Sequence, residues 1–185
     1  GPRGSELNMT SIRSIAFACA LLASAALFAQ EPPGKKSPSV SLVAAPLTTI
    51  TRGKPGSVPL TFRISEGFHI NSNKPKSEFL IPTTLKMDAP TDIALEKTTY
   101  PAGQDISLPF EPTEKLNVYT GEFTLGVKVR PLHSVVAGKY KLHGNLKYQA
   151  CDNAACYPPK QVPVEFEVKV IKGPPPVHHN PAGLP

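Results

Sequence analysis

Apolar and polar residues alternate along much of this chain with a period of two. The clearest examples run from Tyr140 to Tyr148 and from Val162 to Val170. Successive side chains point to opposite faces of a strand, so this pattern predicts two strands, each with one buried face. We expect the two strands to pair as a hairpin. The predicted buried faces comprise Tyr140, Leu142, Leu146 and Tyr148 on the first strand and Val162, Val164, Phe166, Val168 and Val170 on the second.

Shorter strands are predicted upstream of this hairpin. Proline and glycine separate them, and the 185 residues include 22 Pro and no Trp, a composition that favours strands and fixed loops over long helices. Short, evenly spaced strands of this kind predict an all-β fold, an immunoglobulin-like two-sheet sandwich. The predicted upstream strands are Val40–Ala45, Val58–Ile64, Phe68–Ile70, Ile81–Met87, Ile93–Glu96 and Glu122–Arg130.

The N-terminal region has the layout of an export signal. Residues 1–8 precede the first methionine and resemble an expression-vector remnant, whereas residues 9–29 contain one positive charge, Arg13, followed by an apolar run. That run, about 15 residues, is short of the ~20 that a membrane-spanning helix needs. We therefore interpret residues 9–29 as a secretory signal peptide, cleaved after Ala25 or Ala29, rather than as a membrane anchor.

Export would change both the charge and the cysteine content. Removing residues 1–29 lowers the basic count from 20 to 18 and the acidic count from 14 to 13, which leaves a net charge of +5. The sequence shows no Lys/Arg cluster typical of a nucleic-acid-binding surface. Cleavage also removes Cys19. Cys19 is not expected to be a lipoprotein anchor, because too little apolar sequence precedes it. The mature chain would then hold two cysteines, five positions apart, in an oxidising compartment.

The folded domain is expected between two flexible ends. Residues 30–39 form a polar, Pro-rich linker, and residues 173–185 form a Pro-rich tail that cannot bury an apolar face. The domain is therefore expected over residues 40–172, which is long enough to bury a core. The tail carries His178 and His179, but adjacent histidines in such a segment are more often solvated than bound to a metal.

The candidate chemistry lies in the segment YQACDNAACYPPKQ, residues 148–161, between the last two predicted strands. An extended chain would hold the Cα atoms of Cys151 and Cys156 ~17 Å apart, whereas a disulfide needs them within ~7 Å. The loop must therefore fold back for the two cysteines to bond. The Asp-Asn pair after Cys151 favours a turn, and the Pro-Pro pair after Tyr157 fixes the exit of the loop.

A bridge this short has two interpretations. As a structural staple it is weak, because closing a loop of about six residues contributes ~2 kcal/mol, against ~5 kcal/mol for about 100 residues. As an exchange site it is better placed, since a partner thiolate can reach a tight bridge in a rim loop, and strain makes a disulfide easier to reduce. The residues alone leave both interpretations open.

The same segment resembles a known family. The run YQACDNAACYPPK is similar to the active-site stretch of the N-terminal periplasmic domain, or alpha domain, of DsbD-type thiol:disulfide interchange proteins. In that stretch a tyrosine and a glutamine precede the first cysteine, and a proline pair follows the second. The run LTFRISEGFHI, residues 60–70, resembles the family's strand and turn upstream of the site. The resemblance extends more weakly from about Val40 to Val170.

This resemblance implies an immunoglobulin-like sandwich that acts as a periplasmic electron shuttle. In the family, a membrane protein delivers reducing equivalents through a thioredoxin-like domain, and the module passes them to periplasmic thioredoxin-fold proteins used in disulfide isomerisation or cytochrome c maturation. Carried over to this chain, Cys151 and Cys156 are the catalytic pair: Cys156 forms the mixed disulfide and Cys151 resolves it. No cofactor besides this redox-active disulfide is implied. The residues expected to shape the site are Tyr148, Asp152, Tyr157, Pro158, Phe110 and His69.

The chain departs from the family pattern at several points. It has four residues between the cysteines where some members have five, and His69 and Asn71 stand where the family has aromatic residues. The family shields its cysteines with a mobile, aromatic-bearing loop, for which residues 107–116 with Phe110 are the candidate; core packing is the alternative role for Phe110. The sequence to Pro185 contains no counterpart of the family's membrane helices or thioredoxin-like domain, so we expect it to work with a separate membrane protein.

Two other functions fit parts of the sequence. A secreted β-sandwich binding module with a structural disulfide needs nothing beyond the fold, since a fold does not fix a function. A periplasmic copper-binding protein would use both cysteines with His69, His133 or His143, although Met87 is the one methionine left after export. Hydrolase chemistry has no support, because the sequence contains no G-x-S-x-G, H-E-x-x-H or phosphate-binding glycine loop.

Overall fold

The structure, a computed structural model, describes residues 37–109 and 111–173, with the backbone alone at Glu111. The predicted vector remnant, the signal peptide, most of the linker, Phe110 and the tail from residue 174 lie outside the described residues. Within the described residues the chain forms twelve strands and no helix. The strands are β1 (Val40–Ala44), β2 (Thr48–Thr51), β3 (Gly56–Ile64), β4 (His69–Asn71), β5 (Thr84–Asp88), β6 (Ile93–Thr99), β7 (Gln104–Leu108), β8 (Glu111–Thr120), β9 (Glu122–Pro131), β10 (Gly138–Tyr148), β11 (Ala150–Cys151) and β12 (Lys160–Ile171).

These strands form three four-stranded sheets. The first sheet has the order β1, β3, β9, β6, and the second has the order β2, β12, β10, β5. Apolar residues of both sheets contribute to one main core. The third sheet, in the order β11, β4, β8, β7, extends strands of the other two, because β4 follows β3, β8 precedes β9 and β11 follows β10. The predicted all-β, immunoglobulin-like sandwich is confirmed, with this third sheet added to it.

The predicted hairpin between the last two long strands is confirmed as β10 and β12. They pair antiparallel, with Leu142 opposite Phe166 and Leu146 opposite Val162. Buried and exposed residues alternate along both strands, as the period of two predicts. At the end of the hairpin Tyr148 pairs with Lys160. The cysteine loop therefore connects the ends of two long strands that are paired along their whole length.

Stacked aromatic rings fill the middle of the main core. The ring centroids of Phe62 and Phe123 lie 5.4 Å apart, and Phe123 stacks in turn on Tyr119 at 5.0 Å. Phe62 has 0% of its surface exposed. Because burying a large apolar side chain contributes roughly 1.5–3 kcal/mol, these rings help to hold the first sheet against the rest of the sandwich.

Four strands, β2, β7, β8 and β11, lie outside the predicted segments. Residues 107–116, expected to form a mobile loop, instead contain the end of β7 and the start of β8, which pair as a hairpin. Pro109, Pro112 and charged residues interrupt the alternation here, while Leu116 and Val118 still give β8 one buried face. Most of this segment is thus strand rather than loop. Phe110 itself is outside the described residues, and its role stays a prediction.

The predicted strand Ile81–Met87 begins only at Thr84. Residues 81–83 bond to β4 instead: the carbonyl oxygen of Ile81 accepts a hydrogen bond from Nδ2 of Asn71 at 3.0 Å. The hydroxyl of Thr83 donates to the carbonyl oxygen of Asn71 at 2.5 Å. These bonds tie the connection between β4 and β5 to the third sheet.

The third sheet has a buried patch on each of its faces. The patch that joins the main core is formed by Ile70, Tyr119 and Ala150. The opposite patch consists of Leu108, Leu116 and Val118, with Leu80 and Ile106 packed against them. Side chains alternate between faces along a strand, so His69 and Cys151, the sequence neighbours of Ile70 and Ala150, point away from the main core. The candidate site therefore lies on the outer face of this sheet.

Candidate functional site

The two cysteines are bonded to each other in a tight loop. A disulfide joins Cys151, at the end of β11, to Cys156, and their Cα atoms are 4.0 Å apart. The loop therefore folds back, as closure of so short a segment requires. The strands on either side belong to the long hairpin of β10 and β12. A firmly paired hairpin thus presents the disulfide at its tip.

The carboxylate of Asp152 organises the turn between the cysteines. Its Oδ1 accepts hydrogen bonds from the backbone amides of Ala154 (2.8 Å) and Ala155 (2.9 Å). The amide of Asp152 donates to the carbonyl oxygen of Ala155 at 2.9 Å. A short acidic side chain that bonds backbone amides two and three residues ahead is typical of an Asx turn. Asp152 therefore has the turn-forming role expected from the sequence.

Tyr157 fastens the second half of the loop. Its hydroxyl donates to Oδ2 of Asp152 at 2.6 Å, and this bond raises the pKa of the phenol above its ordinary value. Its amide donates to the carbonyl oxygen of Ala150 at 2.8 Å, and its ring meets Phe68 edge-on with centroids 5.8 Å apart. Pro158 follows on the surface and donates no backbone hydrogen bond. The loop is thus held at both ends before β12 begins.

The two sulfur-bearing residues differ sharply in exposure. Cys151 has 0% of its surface exposed, whereas Cys156 is exposed. A thiolate that attacks a disulfide must approach one sulfur from outside. Access in this loop therefore favours attack at Cys156, which would leave Cys151 as the departing thiolate.

An apolar groove of about 400 Å³ opens beside Cys156. Its floor includes buried residues of the β7–β8 hairpin, and its rim carries Phe79, which has 87% of its surface exposed. The exposed ring and the apolar groove together form a continuous apolar surface, and such surfaces typically mark interaction sites. The residues that line the groove are Ser77, Phe79, Leu80, Leu108, Glu114, Leu116 and Cys156.

His69 lies directly beside the buried cysteine. On β4 it pairs with Cys151 of β11, and it has 6% of its surface exposed. Burial lowers the pKa of the imidazole below its ordinary value, while the negative charge of Asp152 opposes part of that change. Within the described residues, two buried side-chain polar atoms lack a hydrogen-bond partner: Nε2 of His69 and Oδ1 of Asn71. Both belong to β4 and to the face that carries Cys151.

Tyr148, Lys160 and the two remaining histidines of the folded domain make their contacts outside the cysteine loop. Tyr148 is buried in the main core, where burial raises the pKa of its phenol. Lys160, which follows the loop, donates from Nζ to the carbonyl oxygen of Pro38 at 2.9 Å. His143 is exposed on β10, with Nδ1 3.2 Å from Oε2 of Glu165. His133 is also exposed, and its ring lies against Gly53.

Two residues of the site went unassigned in the sequence analysis. Oε1 of Gln149 accepts hydrogen bonds from Nδ2 of Asn71 at 3.0 Å and from the amide of Ile81 at 3.1 Å. Gln149 thereby joins the strand that enters the cysteine loop to the connection between β4 and β5. The alternation offered a signal, because Tyr148 on the core face places Gln149 on the opposite face. Phe79 gave no such signal, since it stands in an irregular segment.

A metal-binding cluster and a membrane-spanning helix are both absent from the part of the chain that the structure describes. Residues 37–109 and 111–173 contain no group of three or more His, Cys, Asp or Glu side chains placed to hold a metal ion. The same residues include no helix long and apolar enough to cross a membrane.

Comparison with known proteins identifies the family. The family model for the N-terminal region of the thiol:disulfide interchange protein DsbD matches residues 41–167. The chain belongs to this family. That membership confirms the resemblance drawn from the cysteine motif and makes the protein a thiol–disulfide exchange module of a periplasmic domain family. A search of curated proteins found no match.

Solved structures include two of the same family. The DsbD N-terminal domain of Neisseria meningitidis in the reduced form is 27% identical, with a TM-score of 0.38, over 61% of this chain and 76% of that chain. A complex between the DsbD N-terminal and PilB N-terminal domains of N. meningitidis is also 27% identical, with a TM-score of 0.37, over 60% of this chain and 73% of that chain. A cohesin from Pseudobacteroides cellulosolvens is 13% identical, with a TM-score of 0.42, over 73% of this chain and 94% of that chain.

Proposed function

We propose that this protein relays reducing equivalents through the Cys151–Cys156 disulfide. It accepts them from the thioredoxin-like domain of a membrane electron-transfer protein and passes them to periplasmic thioredoxin-fold proteins. Disulfide isomerisation and cytochrome c maturation are the processes served. The observation that carries the proposal is the asymmetric bridge, in which an exposed Cys156 at the edge of an apolar groove is bonded to a fully buried Cys151.

The exchange takes place in two thiolate displacements. A donor thiolate attacks the sulfur of Cys156, so that a donor–Cys156 disulfide forms and the Cys151–Cys156 bond breaks, leaving Cys151 as a thiolate. The second thiol of the donor then attacks the donor sulfur that is bonded to Cys156. This displaces Cys156 and leaves the donor oxidised and both cysteines of this protein reduced. With an oxidised acceptor the same steps run in reverse, beginning with attack by Cys156 and ending with attack by Cys151.

The groove beside Cys156 provides a place for the partner. A protein that forms a disulfide with Cys156 must bring the segment around its own cysteine against the adjoining surface. The groove is lined mainly by leucine and phenylalanine side chains, with Glu114 as its one charged residue among those that the structure describes. It therefore suits an apolar segment next to a cysteine. The complex of the N. meningitidis DsbD N-terminal domain with a PilB N-terminal domain supports a protein partner of this kind.

The loop itself does little to activate its thiols. No Lys or Arg stands between Cys151 and Cys156 in the sequence, and the ammonium group of Lys160 bonds to Pro38 instead. Thiol reactivity depends on the thiolate fraction, which nearby positive charge increases. A protein without that activation reacts slowly with small thiols. Selectivity for the partner then comes from contacts in the groove.

Exchange with a thioredoxin-fold protein tests this function. The oxidised protein is mixed with a reduced thioredoxin, and the appearance of free thiols is followed by quenching and alkylation. We expect reduction by thioredoxin to be much faster than reduction by the same concentration of glutathione. Phe79→Ala should slow the thioredoxin reaction by about tenfold, since truncating an aromatic residue that anchors an interface costs more than ~1 kcal/mol, and should leave the glutathione reaction unchanged.

A matched control is Val136→Ala, which truncates another exposed apolar side chain outside the groove. This variant should react with thioredoxin at the rate of the wild type. If glutathione and thioredoxin reduce the disulfide equally slowly, the relay function is contradicted. If Phe79→Ala and Val136→Ala behave alike, the groove does not bind the partner.

A further inference from the structure

A buried histidine lies beside the site and has no part in the exchange described so far. His69 has 6% of its surface exposed, and its Nε2 is shielded from solvent without a hydrogen-bond partner. A buried polar atom left unpaired costs roughly 1–3 kcal/mol. In the disulfide form, then, the site carries an unsatisfied nitrogen next to the reactive bond.

The strand pairing brings this histidine to the buried cysteine. His69 and Cys151 are direct cross-strand partners on β4 and β11, so their side chains project from the same face of the sheet. The Cβ atoms of such partners lie about 4.5–5.5 Å apart. On its other side His69 pairs with Thr120, whose hydroxyl already donates to Oε1 of Gln104 at 3.1 Å. The sulfur of Cys151 is therefore the cross-strand group whose chemistry changes during the reaction.

Reduction of the disulfide supplies a hydrogen-bond partner for the imidazole of His69. A disulfide sulfur carries no proton, so Cys151 cannot donate a hydrogen bond while it is bonded to Cys156. The reduced Cys151 is a thiol, a weak hydrogen-bond donor, and its thiolate is an acceptor. The thiol can donate to an unprotonated ring nitrogen, and the thiolate can accept from a protonated one. The reduced site can thus satisfy the nitrogen that the oxidised site leaves unpaired.

We propose that His69 accepts the proton of Cys151 when Cys151 closes the disulfide, an inference that rests on the relay function proposed above. In this step the Cys151 thiol passes its proton to Nε2 of His69, and the Cys151 thiolate attacks the sulfur of Cys156. The Cys151–Cys156 bond forms, the bond from Cys156 to the acceptor breaks, and the acceptor leaves as a thiolate. The imidazolium then gives its proton to that thiolate or to water.

The surroundings of His69 suit this role. Burial lowers the pKa of the imidazole, which therefore is neutral at pH 7 and free to take up a proton. The charge of Asp152 acts in the opposite direction and stabilises the imidazolium once it forms. Of the groups on the neighbouring elements, Asp152 beside β11 is titratable, Cys151 becomes titratable once the disulfide is reduced, and Thr120 on β8 does not titrate.

Two-step oxidation of the reduced protein by 5,5′-dithiobis(2-nitrobenzoate) separates this step from the first attack. The first thionitrobenzoate is released when Cys156 attacks the reagent, and the second when Cys151 displaces it from Cys156. A free thiol is only a few per cent thiolate at pH 7, so a proton acceptor can speed the second step by at least about tenfold. His69→Gln should slow the second release by about that factor at pH 7 and leave the first unchanged.

The pH profile distinguishes proton transfer from a structural effect. In the wild type, the second-phase rate should fall as pH drops through the lowered pKa of His69, because the imidazolium cannot accept a proton. His69→Gln should lose this inflection, whereas His143→Gln, at an exposed histidine on β10, should retain both phases and the inflection. An unchanged second phase in His69→Gln, equal slowing of both phases, or a wild-type profile without the inflection would overturn the proposal. Failure of the first phase would instead count against the relay function.

Discussion

Cys151→Ala is expected to accumulate a stable mixed disulfide with a thioredoxin-fold partner, whereas Cys156→Ala is expected to form almost none. The reason is the exposure of the two residues: Cys156 is accessible at the edge of the groove, and Cys151 is fully buried. In Cys151→Ala this protein lacks the thiol that would attack Cys156 and release the partner from the mixed disulfide. Each reduced variant is mixed with a thioredoxin that lacks its own resolving cysteine and carries thionitrobenzoate in a disulfide on its remaining cysteine, so that formation of the adduct releases thionitrobenzoate. The adduct is quantified by non-reducing electrophoresis and mass spectrometry.

The expected difference in adduct yield is large because a buried thiol reacts slowly. Burial raises the pKa of a thiol and blocks the in-line approach of a disulfide. The double variant lacking both cysteines is the baseline, and the thermal unfolding midpoints of the two single variants should be compared to exclude unfolding. Equal adduct yields from folded Cys151→Ala and Cys156→Ala, or a greater yield from Cys156→Ala, would contradict the assigned order of attack.

Phe62→Ala is expected to destabilise the domain by about 3–5 kcal/mol, the usual cost of deleting a fully buried phenylalanine ring. Phe62 has 0% of its surface exposed and stacks on Phe123 between the sheets. Removing the ring leaves a cavity that neighbouring strands cannot fill without breaking their hydrogen-bonded register. Equilibrium unfolding in urea measures the change, with the disulfide kept oxidised in both proteins.

The matched control is the same substitution at Phe79, which is 87% exposed. Phe79→Ala should change the unfolding free energy by less than about 0.5 kcal/mol, as is usual for exposed positions, although we expect it to slow exchange with a protein partner. If Phe79→Ala lowered the unfolding free energy by several kcal/mol, or Phe62→Ala lowered it by less than about 1 kcal/mol, the assignment of Phe62 to the core and of Phe79 to the groove would be wrong.

The sequence predicted best those strands in which every residue on one face is apolar. In β12, Val164, Phe166 and Val168 follow one another on the buried face, so local pattern and tertiary packing agree. β8 was missed because its first half contains Pro112 and three charged residues, and its buried face begins only at Leu116. Its partners are supplied by β4 and β7, and no local pattern shows that pairing.

The site could be predicted only where its chemistry lies in one continuous segment. The fold-back of the cysteine loop and the turn made by Asp152 follow from residues 151–156 alone. Tyr148, which the sequence analysis expects to shape the site, is buried in the main core. Gln149 beside it bonds to Asn71, which is 78 positions away in the sequence. The positions of His69 and Phe79 around the disulfide likewise depend on long-range pairing of β4 and on the path of the β4–β5 connection.

The reduction potential of the Cys151–Cys156 pair decides most directly between an exchange site and a structural bridge. It is measured on the purified protein by equilibration with glutathione or dithiothreitol buffers of known potential, followed by thiol trapping. The relay function predicts a value of roughly −180 to −270 mV, the range of thiol–disulfide exchange proteins. A value below about −300 mV, typical of structural disulfides, would contradict it and favour a secreted binding module stapled by an inert bridge.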